Sequence, residues 1–315
     1  MQLLSYIFRR LLQMIPVLFV VTIIIFFSMH LIPGDPAVNM LGDKMANDSV
    51  AVTAMREKLG LNQPLIVQYC LFIKGIFTLH LGNSIFMNKP VLDIFKERFI
   101  VTATYVAITT IFTIFISVPL GYFAGIWQRR SIGKGISTVC LILLSLPEFW
   151  VGILLLFFLS LKCGIFPVGG WGTGWPMHLK SMILPAGAGC ISSVAMMVRN
   201  MQSGIGIVMQ KDYVDFAKAK GITSSRIARR YILKNVMISS STLLAMRIAY
   251  MMGSSVVIET VFALPGIGQL LINGVLTRDY PVVQCTVLLF SVMVMFITLI
   301  TDICYSLLDP RVKLN

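Results

Sequence analysis

The chain has 315 residues, of which 57% are hydrophobic and 12% charged, with a mean hydropathy of +0.86. Soluble domains carry about 25% charged residues, so the composition excludes one and points to a chain that crosses a membrane several times. The net charge of +13 would suggest nucleic acid as partner of a soluble protein. Here the cations lie between apolar runs, and membrane topology explains most of them without nucleic acid.

A helix needs roughly 20 apolar residues to cross the hydrocarbon layer, because lipid offers an open backbone no hydrogen bonds. Six stretches qualify. The first lies between Arg10 and Asp35, after the basic pair Arg9-Arg10. This beginning resembles a secretory signal, but the apolar run is too long and the following HLIPGDP lacks a small-x-small cleavage site, so an uncleaved span is expected.

Residues 31 to 98 then form a long segment on the outer side. Pro33 to Pro36 predicts a turn, Asn47 or Asp48 the start of a helix ending at Gly60, and Pro64 the first turn of another. That next helix is apolar over a broad face, with Lys74 its one charge. It is expected to lie in the interface or to pack on the outer ends of the spans, with an exposed side open to an outer partner.

The second span lies between Arg98 and Arg129 and the third between Lys134 and Lys162, joined by the basic loop WQRRSIGKG. In the third, Pro147 interrupts the helical hydrogen bonds and Glu148 sets a carboxyl at membrane depth, where it should face protein or water. A structural and a functional role for Glu148 stand level. The Gly- and Trp-rich loop 161 to 182 reads as an interfacial turn, and the fourth span runs from Lys180 to Lys211.

The fifth span, from Lys234 to Glu259, contains Arg247, Tyr250, Met251, Met252, Gly253, Ser254 and Ser255, a mixture suited to close packing or to a polar passage. Arg247 is expected to pair with Glu148 or Asp302, a structural bridge ranking ahead of a substrate contact. A short apolar helix, Leu270 to Leu276, precedes the sixth span, Asp279 to Asp309.

Lys and Arg favour cytoplasmic loops. Segments 1 to 10, 127 to 135, 206 to 235 and 308 to 315 hold 14 of them in 57 residues, against 10 in 114 for the other set. Both termini and the loop 206 to 235 are therefore expected inside. The six cysteines form no CxxC pair and read as packing thiols, with a Cys70 to Cys163 disulfide on the outer face as the alternative.

The chain lacks a phosphate-binding GxxxxGK[ST] loop and the HExxH and GxSxG motifs, so it should not hydrolyse ATP itself. Within the spans Glu148, Asp302 and Arg247 are thin equipment for an intramembrane enzyme, the runner-up class. A self-sufficient secondary transporter is disfavoured because no inverted repeat is detectable. His30, His80 and His178 are far apart in sequence and predict no metal site.

The stretch Lys211 to Lys234 is a polar island, with seven basic and two acidic residues among 24. It predicts two short helices with a break: Asp212 caps the first, Gly221 ends it in a left-handed conformation, and Thr223 caps the second. Tyr213, Phe216 and Ala217 form a narrow apolar stripe on the first helix, small enough to dock on a partner. A solvated loop held inside by its charge is the plainer alternative.

This island resembles the cytoplasmic coupling loop of ABC importer permeases, with the pattern EAA, three residues, Gly, nine residues, then I-x-L-P. Ala217, Gly221 and Leu233 agree and Asp215 keeps the charge, while Phe216, Tyr231 and Lys234 depart. The variant YVxxAxAKG, characteristic of the dipeptide, oligopeptide and nickel branch, is met by Tyr213, Val214, Ala217, Ala219, Lys220 and Gly221. HLIPGDP, LGLNQP, LSLPEFW, ILPA, ETVFALPGIGQLL, RDYP and LLDPR extend the likeness along nearly the whole chain, to the first of the two permeases of such importers.

The resemblance implies an all-α polytopic fold of the type I importer permease class, in a bacterial inner membrane. It divides the chain into a first span with its outer segment, 1 to 98, a five-helix core, 99 to 310, with the coupling loop 206 to 235, and a cytoplasmic tail, 311 to 315. The implied partners are a homologous permease, a substrate-binding protein outside, and two ATPase subunits that hold ATP and Mg; this chain binds no cofactor. Tyr213 to Gly221 would contact an ATPase, and Glu148, Arg247, Met252 and Ser254 are the candidates for the path. Short peptides are the expected cargo, with nickel or a metal chelate as the alternative.

Overall fold

The computed structural model describes residues 2–31, 36–41, 48–58 and 60–308. The turn expected at Pro33 and the tail 311 to 315 therefore lie outside the described residues. Among the described residues the regular structure is helical, apart from one isolated bridge between Asn83 and Pro90.

The chain divides into two compact units, Met1–Val101 with Pro265–Phe296, and Thr102–Leu264 with Ile297–Asn315. The division places 265–296 with the N-terminal segment. In the first unit α1 (Gln2–Leu31) is the longest apolar helix, followed by the short α2 (Pro36–Leu41) and α3 (Ser49–Lys58). Asp48 caps α3, its Oδ1 accepting from the backbone N–H of Val50 at 2.9 Å.

Helix α4 (Leu65–Phe77) begins just after Pro64 and lies against α1: Tyr69 and Phe72 meet the ring of Phe26, and the Tyr69 hydroxyl is 2.9 Å from Thr22 Oγ1. Its other side, with Ile66 and Phe77, is exposed, so α4 is half scaffold and half surface.

The described residues of the second unit are likewise helical. Helix α5 (Val91–Ile126) enters from the first unit, and α6 (Ser131–Ser145) and α7 (Glu148–Leu155) follow. Where one third span was expected, α6 and α7, with the π-helical continuation Leu156–Lys162, meet at 97°. The cause is Pro147, which lacks an N–H and pushes Leu146 out of the helical region, to φ −86 and ψ 130. Among the described residues, five helices are long and apolar enough to cross a membrane, and this bent pair makes a sixth if counted as one span.

Helix α8 (Trp175–Met209) is the buried axis of the unit, with Ala186, Val198, Met201 and Ile205 all sealed. It is followed by α9 (Asp212–Ala219), α10 (Ser224–Ile227) and α11 (Lys234–Val261). The expected separate second helix of the polar island does not exist: α10, a π-helical stretch Ala228–Leu233 and α11 run on as one 38-residue helix from Ser224 to Val261. The fifth span also does not end at Glu259. Met251, Ser255, Ile258, Glu259 and Phe262 are all buried on one helical face, and Thr102 Oγ1 donates to Glu259 Oε1 at 2.7 Å.

The final elements are α12 (Ile267–Thr277) and α13 (Tyr280–Leu308). Between them Asp279 is buried, accepting from Ser84 Oγ at 2.6 Å and from the Val282 N–H at 3.4 Å, which ties the loop before α5 to the start of α13. Cys70 and Cys163 are both free thiols, so the alternative of a disulfide between them is not realised.

The close approach of α5 to α8 depends on missing side chains. A Cβ added at Gly121 would sit 2.8 Å from Met201 Cβ, and one at Gly125 would sit 2.6 Å from Ile205 Cβ. Small residues four apart on one helix let two backbones draw near where lipid supplies no hydrophobic force between helices. Gly125→Val should destabilise the purified protein by about 1–3 kcal/mol through overpacking. A thermal melt in detergent would read this as a lowered Tm, with Gly135→Ala, where nothing lies within 4 Å and Ala is the better helix former, as the control that does not lower it.

Candidate functional site

The first site is α9. Asp212, Asp215 and Lys218 keep its outer side polar, and Lys218 Nζ meets Asp215 Oδ1 at 2.8 Å on the surface. The expected Asp212 cap is not formed: Lys211 occupies the N-cap position, without a side-chain hydrogen bond, and Asp212 is the first helical residue. Its charge still lies in the first turn, where the unfilled N–H groups favour an anion. Thr223 is the N-cap of α10 but closes it through its backbone carbonyl, which accepts from Arg226 at 2.9 Å and Ile227 at 3.0 Å.

The C-terminal end follows the expected form. Gly221 has φ +74, the Gly221 N–H donates to Lys218 O at 2.9 Å and the Ile222 N–H to Ala217 O at 3.2 Å. These two bonds form a Schellman closure, which needs a left-handed residue that glycine supplies without a Cβ clash. It reverses the chain immediately, so that α10 returns beneath α9.

The apolar stripe expected from Tyr213, Phe216 and Ala217 is divided between two faces. Val214 and Ala217 point inward and are sealed in a cluster with Met201 and Ile205 of α8, Ile227 of α10, Ile232, and Val236 of α11. Phe216 is 62% exposed and Tyr213 41% exposed. Lys220 Nζ lies 4.6 Å from the Phe216 ring centroid, and Tyr213 stacks on Tyr231 while its hydroxyl accepts from Asn235 Nδ2 at 3.3 Å. Ala219 and Lys220 are also exposed. The helix thus has a seat made of Val214 and Ala217 and an outward knob, Phe216, framed by Tyr213, Ala219 and Lys220.

The second site lies where α7, α8 and α11 meet. Glu148, the first residue of α7, and Arg247 of α11 are 3.8 Å apart, so the cation is paired with Glu148 rather than standing alone. Arg247 Nη2 donates to Ser192 Oγ at 2.7 Å and Ser193 Oγ at 3.0 Å, and Nε donates to Ser193 Oγ at 3.1 Å. The Ser192 hydroxyl in turn donates to Glu148 Oε1. The Arg247 guanidinium lies over the Tyr250 ring, 4.8 Å from its centroid.

The neighbouring candidates face differently. Met252 is 2% exposed and packs inside the chain, whereas Met246, Tyr250, Gly253 and Val257 form an exposed stripe along α11, with Ser254 half-buried beside it. A period of three and four residues through this stretch carried that signal. Residue polarity alone does not give it, nor does a charge such as that of Glu259 by itself mark the end of a span.

Among the described residues no three His, Cys, Asp or Glu side chains gather as they would around a metal ion. His30 Nδ1 lies 2.8 Å from Phe26 O and its Nε2 3.3 Å from Gln68 Oε1, and His178 Nδ1 lies 2.8 Å from Trp171 O.

Residues 117–314 match the family described as "Binding-protein-dependent transport system inner membrane component", and residues 3–107 match the N-terminal part of such membrane components. The chain is 33% identical over 315 residues to a Brucella abortus (strain 2308) protein provisionally named a peptide transport system permease, covering 98% of this chain and 99% of that one. It is 32% identical over 310 residues to the glutathione transport system permease protein GsiC of Escherichia coli O6:H1, covering 98% and 99%. An inward-facing structure of the MetNI methionine ABC transporter matches with a TM-score of 0.58 at 14% identity, over 70% of this chain and 98% of that chain, which is a likeness of fold. The chain belongs to the family of inner-membrane components of binding-protein-dependent transport systems, and is a multi-pass, non-catalytic permease subunit of an ABC importer.

Proposed function

We propose that the chain, paired with a homologous permease, forms the pathway for short peptides, with α9 as the contact that couples it to an ATPase. Membership of the family implies ATPase and substrate-binding partners. The names of the relatives, peptide and glutathione permeases, support a peptide cargo. In this reading the loop 206–235 faces the cytoplasm, where its basic charge belongs, and ATP with Mg is held by two ATPase subunits.

The observation that carries the coupling role is the two-sidedness of α9: an apolar seat against its own spans and an exposed aromatic knob. Phe216 enters a cleft of the ATPase, with Tyr213, Asp215, Ala219 and Lys220 around its rim and Gly221 setting the helix end. Val214 and Ala217 pass the displacement to α8 and to the continuous helix from Ser224 to Val261. Such coupling needs an element whose two states both nucleotide and cargo bias. The path runs along the exposed stripe of α11, past Tyr250, Gly253 and Ser254, and the Glu148–Arg247 pair. Met252, facing inward, supports that wall from behind.

Two variants separate the seat from the knob. Phe216→Asp should leave the permease folded, with a Tm shift worth less than about 0.5 kcal/mol as for other surface changes, while abolishing cargo-stimulated ATPase activity of the assembled importer. Val214→Asp should lower the Tm of the permease itself, since it sets a carboxylate in a sealed apolar cluster. Normal stimulation in Phe216→Asp would exclude the coupling role.

Cargo is tested by uptake into proteoliposomes holding the complete importer with its binding protein. A labelled tripeptide should accumulate with ATP, and nickel should not. Nickel accumulation without peptide accumulation would overturn the peptide reading.

A further inference from the structure

The Glu148–Arg247 cluster has more capacity than its own chain uses. Three bonds to Ser192 and Ser193 occupy Nη2 and Nε of Arg247 and fix the plane of the guanidinium. Nη1 has no partner among the described residues, and neither has Oε2 of Glu148, whose Oε1 takes the Ser192 hydroxyl. Neither atom is among the buried polar atoms left without a hydrogen bond, so both are open to a ligand. The side chains of Arg247 and Glu148 are 12% and 21% exposed.

The opening has a direction. Tyr250, which covers one face of the guanidinium, is 60% exposed, and a Cβ added at Gly253 would meet nothing within 4 Å. A guanidinium and a carboxylate opening toward hydrocarbon are costly, so this side of α11 faces water or polypeptide. The pair itself is half made. At 3.8 Å it is too long for a hydrogen bond, and what joins the two charges is the Ser192 hydroxyl between them.

We propose that this pair is a binding site for a zwitterion, in which Arg247 Nη1 donates to a free carboxylate of the cargo and Glu148 Oε2 accepts from its ammonium group. This rests on the reading that peptides cross the chain. The chemistry selects among charged cargoes. A cation or an anion alone meets one attractive and one repulsive charge a few ångströms apart, whereas a molecule carrying both completes each. The serines make the site specific in orientation, because the bonds to Nε and Nη2 leave the Nη1 edge as the free donor.

The test uses the complete importer in proteoliposomes, with its binding protein and ATPases. Three forms of one labelled tripeptide are compared, each supplied as the saturated binding-protein complex: unmodified, C-terminally amidated, and N-acetylated. The unmodified peptide should be taken up about tenfold faster than either blocked form, the size of one hydrogen bond to a charged group. Arg247→Gln should bring the ratio of unmodified to amidated peptide to about one, and Arg247→Lys, which keeps the charge but loses the planar fork, should leave a ratio between that of Arg247→Gln and the wild type. Glu148→Gln should do the same to the ratio of unmodified to N-acetylated peptide.

Ratios that stay at the wild-type value in both Gln variants, or uptake of all three forms falling in parallel, would overturn the site and leave a structural bridge. Should Arg247→Gln fail to assemble, the Glu148→Gln and Arg247→Lys ratios decide alone. A wild-type importer that moves none of the three peptides while another cargo accumulates would sink the peptide reading, and the zwitterion site with it.

Discussion

The seat beneath α9 is the contact on which the rest depends. An eight-residue helix has no independent stability in water, because nucleation fixes several residues for each early hydrogen bond. What holds it is the burial of Val214 and Ala217 against Met201, Ile205, Ile227, Ile232 and Val236, together with the closure at Gly221. Burying a Val side chain contributes about 1.5–3 kcal/mol, enough to hold a short helix in register on a firm base. Because interiors are packed at the density of organic crystals, a displaced α9 carries its base with it. That base consists of two spans, and one of them leads without interruption to Arg247.

A second constraint comes from the medium. Charges at membrane depth persist only where protein or water receives them. Glu148 is placed by Pro147, which ends α6, turns the chain by 97° and starts α7 with the carboxylate at its N-terminus. Arg247 arrives from α11 and is received by two serines of α8 before it reaches the carboxylate. Three helices from separate parts of the chain therefore converge on a single polar point. The exposed stripe of Met246, Tyr250, Gly253 and Val257 runs beside it along α11.

Much of this was legible in the residues. Composition and run length gave a polytopic helical protein, Pro147 and Glu148 marked the weak point of the third span, and the glycine after an eight-residue amphipathic pattern gave the end of α9. The motifs in order along the chain gave the family. Local chemistry is sufficient for these features, since a cap, a proline break or an apolar run acts within a few residues.

The sequence by itself therefore determined the membrane class, the family, the short helix ending at Gly221 and the need of Arg247 for a partner. Only the tertiary structure decided that Ala217 belongs to the seat and Phe216 to the surface, since a stripe at i, i+3 and i+4 does not say which neighbours cover it. It also decided that Glu148 rather than Asp302 receives Arg247, that Glu259 is buried, and that α10 continues into α11. The places of Glu148 and Glu259 depend on bonds between residues 44 and 157 apart in the chain, from Ser192 to Glu148 and from Thr102 to Glu259, and no local pattern encodes such a distance.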